Sequence, residues 1–212
     1  MADESNQKAA TVADQNHGNA YTRQSTKDLS TEEKKQHQTC LDRVESSCKN
    51  SAYVRFMLQA MNKLGCTIDP AKHIICEPCD GRLLGGFDPD RKEMFLCENT
   101  IYNQQAMDDV LTHELIHAYD YCKVKYDPDN LKHLACTEIR AANLSGDCFF
   151  WKENFVRFKL KWKGHQQKCV KTRAVNSILA VRDVSREEAE SVVNSVFNAC
   201  FNDTDPFDRI PP

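Results

Sequence analysis

The chain of 212 residues carries 28 Lys and Arg against 31 Asp and Glu, a formal charge of −3. That balance excludes nucleic-acid binding by bulk charge, and no run of eighteen apolar residues offers a membrane span. Eleven cysteines spread from Cys40 to Cys200 read as a disulfide framework with one thiol left over.

Three regions are expected: a polar tail over residues 1–29, one domain over 30–204 and a short closing tail over 205–212. Residues 1–29 hold almost no large apolar side chain and are expected to be disordered. They carry neither an apolar signal core nor an Arg-rich amphipathic pattern, so no secretory or mitochondrial presequence is expected. An oxidised chain without such a signal fits one compartment, the mitochondrial intermembrane space. The alternative is a reduced protein with many buried cysteines.

Ser30-Thr31-Glu32-Glu33 has capping-box spacing and predicts a helix whose stripe is Cys40, Leu41, Val44 and Cys48. A second helix is expected from about Ala52, with Val54, Met57, Leu58, Met61 and Leu64 on one side and Gly65 as the stop. From Cys66 the pattern changes to short strands: His73–Cys76, Arg82–Phe87 with its Gly85-Gly86 pair, and Glu93–Cys97. These predict a small antiparallel meander. Cys76-Glu-Pro-Cys79 stands without a second C-x-x-C, so bridges are preferred there to a zinc ribbon.

Next comes Thr112-His113-Glu114-Leu115-Ile116-His117-Ala118, on a helix expected over Gln104 to Cys122. His113 and His117 share a helix face, one turn apart. Two imidazoles so placed fit one Zn²⁺, and Glu114 beside them fits the general base of a hydrolysis. An edge strand beside such a site pairs with extended substrate backbone; the Gly85-Gly86 strand or Met94–Cys97 is expected in that role.

A third protein ligand is required. The continuation with a third histidine six residues after His117 is absent, since Asp120 and Lys123 stand at the positions that need Gly and His. Glu138, 21 residues after His117 on the next helix, is preferred, because Ala141 and Ala142 let that helix approach closely. His133 lies about 140° around the same helix and is the alternative ligand, or a donor to the oxyanion. Asp120, almost above His113, reads as orienting an imidazole or as an ordinary exposed aspartate.

Beyond this, Cys148 to Lys163 combines Trp151, Phe155, Phe158 and Trp162 with many cations. It reads as a core-facing seam with a solvated basic face, the alternative being contact with an anionic membrane surface. Two more helices are expected, one holding Cys169, Val170, Ala174, Ile178 and Val181. The other opens at Ser185-x-x-Glu188 and carries Ala189, Val192, Val193, Val196, Phe197 and Cys200.

Several of these runs resemble one family: His113-Glu-Leu-Ile-His-Ala, Leu131 through Thr137-Glu138-Ile139-Arg140 to Cys148, and Ser177-Ile-Leu-Ala-Val-Arg182. Cys76-Glu-Pro-Cys-Asp-Gly, Gly85-Gly-Phe-Asp88 and Cys200-Phe-Asn-Asp belong to the same likeness. The family is the mitochondrial inner-membrane ATP synthase assembly metallopeptidases, whose animal members are also called Ku-binding proteins. The resemblance implies an α+β, minimal zincin-like metallopeptidase: a small antiparallel sheet, about six helices and disulfide bridges. It implies a zinc endopeptidase of the intermembrane space, peripheral on the inner membrane; the other name suggests a link to DNA end joining, which the charge of −3 does not support, so no nucleic-acid partner is expected. Its implied partner is ATP synthase subunit a or the nascent membrane sector. Zn²⁺ on His113, His117 and Glu138, with Glu114 as catalytic base, is the expected site. The family has ten cysteines, which leaves Cys48 as the expected free thiol. The alternatives are an assembly chaperone with a vestigial metal site, or a nuclear Ku partner with reduced cysteines.

Overall fold

The computed structural model describes residues 30–80, 83–148 and 162–211. The chain divides into two units, Met1–Lys34 and Lys35–Pro212. In the first, the Ser30 N–H donates to Glu33 Oε2 at 2.7 Å and the Glu33 N–H to Ser30 Oγ at 3.3 Å. This closes the expected capping box at the start of α1 (Thr31–Asn50). The polar tail over 1–29 and residues 149–161 of the aromatic, basic seam lie outside the described residues.

The remaining elements are α2 (Ala52–Lys63), α3 (Pro70–His73), β1 (Ile74–Glu77), β2 (Gly85–Asp88), β3 (Glu93–Cys97), α4 (Gln104–Lys123), α5 (Leu131–Leu144), α6 (Trp162–Val181) and α7 (Arg186–Asn202). This is the expected α+β architecture, with seven helices and one three-stranded sheet among the described residues. Local chemistry sets the boundaries. Asn103, Asn130 and Ser185 each cap a helix by accepting a backbone N–H two or three residues on. Gly65, at φ 82°, closes α2, with the Cys66 N–H returning to the Met61 carbonyl at 3.0 Å.

The sheet is mixed, which corrects the antiparallel meander. Its order is β1-β3-β2: β1 runs parallel to β3 (Ile74 opposite Met94) and β2 antiparallel to it (Gly86 opposite Phe95). Only β2 and β3 are joined by a tight turn, in which Asp88 Oδ1 accepts the N–H groups of Asp90 and Arg91. The segment after β1 is instead fastened to the far end of β3. Cys79 is bridged to Cys97, and the Asn99 amide clamps both backbone groups of Cys79 at 2.9 and 2.8 Å. The chain therefore passes the end of β3 and returns along its other side.

One apolar cluster joins α1, α2, the sheet and α4 through Met57, Met94, Leu96, Met107, Leu111 and Leu115. A second joins α5, α6 and α7 through Ala135, Ile139, Val170, Ala174, Ile178 and Phe197. Each large side chain so buried stabilises by about 1.5–3 kcal/mol. The clusters meet where α4 packs on α5, and the small Ala141 and Ala142, both buried, permit the close approach. Five bridges pin the elements: Cys40–Cys76, Cys66–Cys122, Cys79–Cys97, Cys136–Cys200 and Cys148–Cys169. Cys48 is the free thiol, half-buried. Residues 205–211, expected as a closing tail, lie along α2 and α4: Phe207 stacks on Phe56 at 4.9 Å, and Tyr119 and Lys123 both donate to Asp205 Oδ2. No described helix is long and apolar enough to cross a membrane.

Candidate metal centre

Between Val110 and Asp120, α4 is buried on most of its circumference, because it lies between the sheet and α5. His113 and His117 stand one turn apart with ring centroids 4.9 Å from each other. Glu138 on α5 faces both: its Oε2 lies 3.9 Å from His113 Nε2 and its Oε1 lies 3.7 Å from His117 Nε2. One ligand atom from each of the three falls within 4.8 Å of the others. The residues expected as metal ligands are thus brought together, and His133 is not among them. It is exposed, and its Nδ1 accepts the Asp127 N–H at 3.1 Å.

The outer ring nitrogens fix how the inner ones are used. His113 Nδ1 lies 3.0 Å from Asp147 Oδ2, a carboxylate that only accepts. Thr137 Oγ1 donates its proton to Asp120 Oδ2 at 2.9 Å, so it accepts from His117 Nδ1, also at 2.9 Å. In the neutral rings the proton therefore sits on Nδ1 in both cases. Both Nε2 lone pairs are turned towards Glu138, the tautomer that metal ligation needs. Two imidazole nitrogens and one carboxylate oxygen form a donor set that fits Zn²⁺.

The electrostatics also favour a cation. Burial alone would lower His113, but the Asp147 carboxylate, with Glu114 and Glu138 behind it, lifts it to about 9. Burial pushes His117 well below its ordinary value, and the His113 charge adds to this. Burial raises Glu138, against the pull of His113, the Ser177 hydroxyl and Arg173. Glu114 is 6 % exposed and is pushed up to about 7 by burial, with Glu138 and Asp147 adding to the rise and His113 opposing it. A buried carboxylate that titrates near neutrality is suited to exchanging a proton in hydrolysis.

Asp120 is buried rather than exposed, and it serves the other histidine. It reaches His117 through Thr137 instead of orienting His113, and Arg140 Nε holds both its oxygens at 3.0 Å. Sequence reasoning missed Thr137, Arg140, Asp147 and Arg173. Thr137 and Arg140 flank Glu138 in the run Thr-Glu-Ile-Arg, and that adjacency was the available signal. Asp147 follows Gly146, at φ 101°, past the end of α5; no helical periodicity extends there.

Of the two strands expected to pair with substrate backbone, β3 is central and β2 alone borders the helix with an edge unpaired among the described residues. A Cβ at Gly85 would meet the Phe95 carbonyl at 2.8 Å and Val110 Cγ1 at 3.1 Å, and one at Gly86 would enter the Phe95 ring at 2.5 Å. Gly85 thus lets β2 lie against α4, and Gly86 leaves space for the Phe95 ring. Phe87 then meets Tyr121 at 5.9 Å. Val110, His117 and Tyr121 lie on one face of α4, so β2 borders the histidine face.

The model of the Peptidase M76 family matches residues 21–208. Among similar chains, the "Mitochondrial inner membrane protease ATP23 homolog" of Xenopus laevis is 54% identical over 162 residues, 76% of this chain and 68% of that one. The protein of the same name in Danio rerio is 51% identical over 173 residues, 81% of this chain and 68% of its own length. The one in Homo sapiens is 47% identical over 176 residues, 82% of this chain and 71% of its own. No solved structure matches.

Proposed function

The chain belongs to the Peptidase M76 family, and from that premise we propose that it is a zinc-dependent endopeptidase of the mitochondrial intermembrane space, peripheral on the inner membrane. The observation that carries the zinc reading is the convergence of two Nε2 atoms and the Glu138 carboxylate within 4.8 Å, while both Nδ1 atoms are engaged. The named relatives support the inner-membrane placement, and the five bridges suit an oxidising compartment. The family likeness supports ATP synthase subunit a, or its nascent membrane sector, as the partner.

His113, His117 and Glu138 would hold the ion, which when bound supplies a Lewis acid at the scissile carbonyl and a more acidic attacking water. Glu114, buried beside both histidines, would take a proton from the attacking water and return it to the leaving amine. The edge of β2 pairs with an extended substrate backbone and lays it along α4. Asp147 and the Thr137–Asp120 pair keep both imidazoles fixed through the cycle, so no reorganisation accompanies the step.

The test uses Glu114→Gln, which keeps the shape of the side chain and the three ligands. Purified wild type should take up one zinc per chain and cleave the membrane-sector subunit or peptides from it. The variant should take up the same zinc and cleave nothing. If ATP synthase assembly survives Glu114→Gln in cells, the essential role is chaperoning. The intact acid and ligand set argues against a vestigial site, and five bonded cysteine pairs argue against a reduced nuclear protein.

A further inference from the structure

Asp147 is held by its side chain and by one covalent bond beside it, and scarcely by its own backbone. It follows the end of α5 at Leu144, and its N–H makes only a long 3.4 Å bond to Ser145 Oγ. The next residue, Cys148, is buried and bridged to Cys169 on α6. One helical turn beyond Cys169, Arg173 donates to the same Asp147 oxygen that receives His113 Nδ1, at 2.6 Å. A further turn on, the Ser177 hydroxyl favours the ionised form of Glu138. Positions 169, 173 and 177 form one row on α6, so a single helix face grips the metal centre by a bridge, an ion pair and a hydroxyl.

The row itself does not need the bridge. Val170, Ala174 and Ile178 are buried against α5 and α7 and seat α6 independently. What the bridge holds is the short segment that carries Asp147. Without it, the side-chain ties left to Asp147 among the described residues are the half-exposed Arg173 and the His113 contact itself. Ordering the segment costs about 1–2 kcal/mol of backbone entropy per residue, which the bridge offsets by restricting the chain.

We propose that Asp147 is a positioning residue of the metal centre, and that the Cys148–Cys169 bridge, by fixing Asp147 on His113, sets the centre's affinity for zinc. The proposal rests on the reading of His113, His117 and Glu138 as ligands. Loss of a partner of this kind weakens metal affinity by about 10- to 100-fold. The bridge and the metal centre are then linked: the ion is held tightly only once the two thiols are joined.

The experiment is zinc affinity of the full oxidised chain by competition with a chromophoric chelator, alongside the absorption spectrum of the Co²⁺-loaded protein. Asp147→Asn and the pair Cys148→Ala/Cys169→Ala should each lose about 10- to 100-fold in affinity and shift the Co²⁺ spectrum alike. The control, Cys79→Ala/Cys97→Ala, removes a bridge that joins β3 to the segment after β1, with neither cysteine on α4 or α5, and should stay within about twofold of wild type. An unchanged affinity in Asp147→Asn, or in the Cys148/Cys169 pair, overturns the proposal. Zinc-free wild type, or undiminished binding in His117→Ala, would instead overturn the ligand assignment itself. Should the cysteine pair lose its near-ultraviolet dichroism, graded phosphine reduction of wild type decides, with alkylated cysteines located by mass. Zinc release should follow the opening of Cys148–Cys169, and release that follows Cys79–Cys97 instead overturns the link.

Discussion

Arg140→Met would expose how much of the metal centre rests on one buried guanidinium. Arg140 is 3 % exposed. Its Nε donates to both Asp120 oxygens at 3.0 Å, its Nη1 to the Asp203 carbonyl at 2.6 Å, and its Nη2 to the Asp205 carbonyl. Methionine keeps the stem and removes all of these. Asp120, buried and already raised by desolvation against the pull of Arg140, would be left with the Thr137 hydroxyl. Stranding one partner of a buried pair costs about 3–5 kcal/mol. The sign with pH follows from losing Arg140, which opposes the rise: the variant's folded state holds the Asp120 proton more tightly than the wild type's. The deficit should therefore be small below the unfolded value of about 4 and grow as pH rises above it. Urea unfolding under non-reducing conditions, with a chelator present to remove metal linkage, measures it at pH 4 and pH 7.5. Adding Asp120→Asn removes the stranded charge and should restore about 1–3 kcal/mol of the loss at pH 7.5. A deficit below about 1 kcal/mol, which is the range of exposed pairs, or strict additivity of the two changes, would refute the reasoning.

The same assay applied to Glu114→Gln in chelator should give the opposite sign. Glu114 is raised from 4.5 to about 7, so its ionised form destabilises the metal-free fold above pH 4.5. The variant should be more stable by about 2–3 kcal/mol at pH 7.5 and not at pH 4; a loss of stability at pH 7.5 contradicts the shift. Gly86→Ala would drive a methyl into the Phe95 ring at 2.5 Å and should cost about 1–3 kcal/mol, read as a lowered melting temperature. Thr137→Val removes the acceptor of His117 at nearly constant volume. Zinc affinity by calorimetry should fall by about 10-fold or more, and unchanged affinity would mean that His117 needs no such partner.

The parts of the fold legible in the sequence were those governed by local rules. Ser30, Asn130 and Ser185 are caps whose chemistry is complete within three residues, and Gly65 stops α2 by its own backbone. His113, Glu114 and His117 lie within a helix turn or so of each other, so their periodicity alone placed them. Glu138 required a second helix and was reached through the small residues that let it approach. The sheet order was not legible, because the path from β1 to β2 is set by the Cys79–Cys97 bridge and by Asn99, and cysteine pairing cannot be deduced from spacing. Asp147 was invisible for the same kind of reason. It belongs to no periodic element, and its partners lie on α4 and on α6.

The cysteines and the histidines, which seemed to carry separate messages in the sequence, answer one physical requirement. Glu114, Asp120, Glu138 and Asp147 are all packed around the α4–α5 contact, and burial pushes against the ionised form of each. A cluster of buried acids of this kind is costly to fold without a cation beside it. The bridges close spans of 18 to 64 residues, and by chain entropy each stabilises the folded state by about 3–4 kcal/mol. Three of the five attach directly at the centre's supports: Cys122 at the end of α4, Cys136 beside Thr137, and Cys148 beside Asp147. Covalent staples thus stand where the buried charges would otherwise pull the fold apart. It follows that in the metal-free protein the residues beside Cys136 and Cys148 should be the first to lose amide protection on reduction, ahead of the apolar cluster around Met57 and Leu111 that needs no charge to be buried.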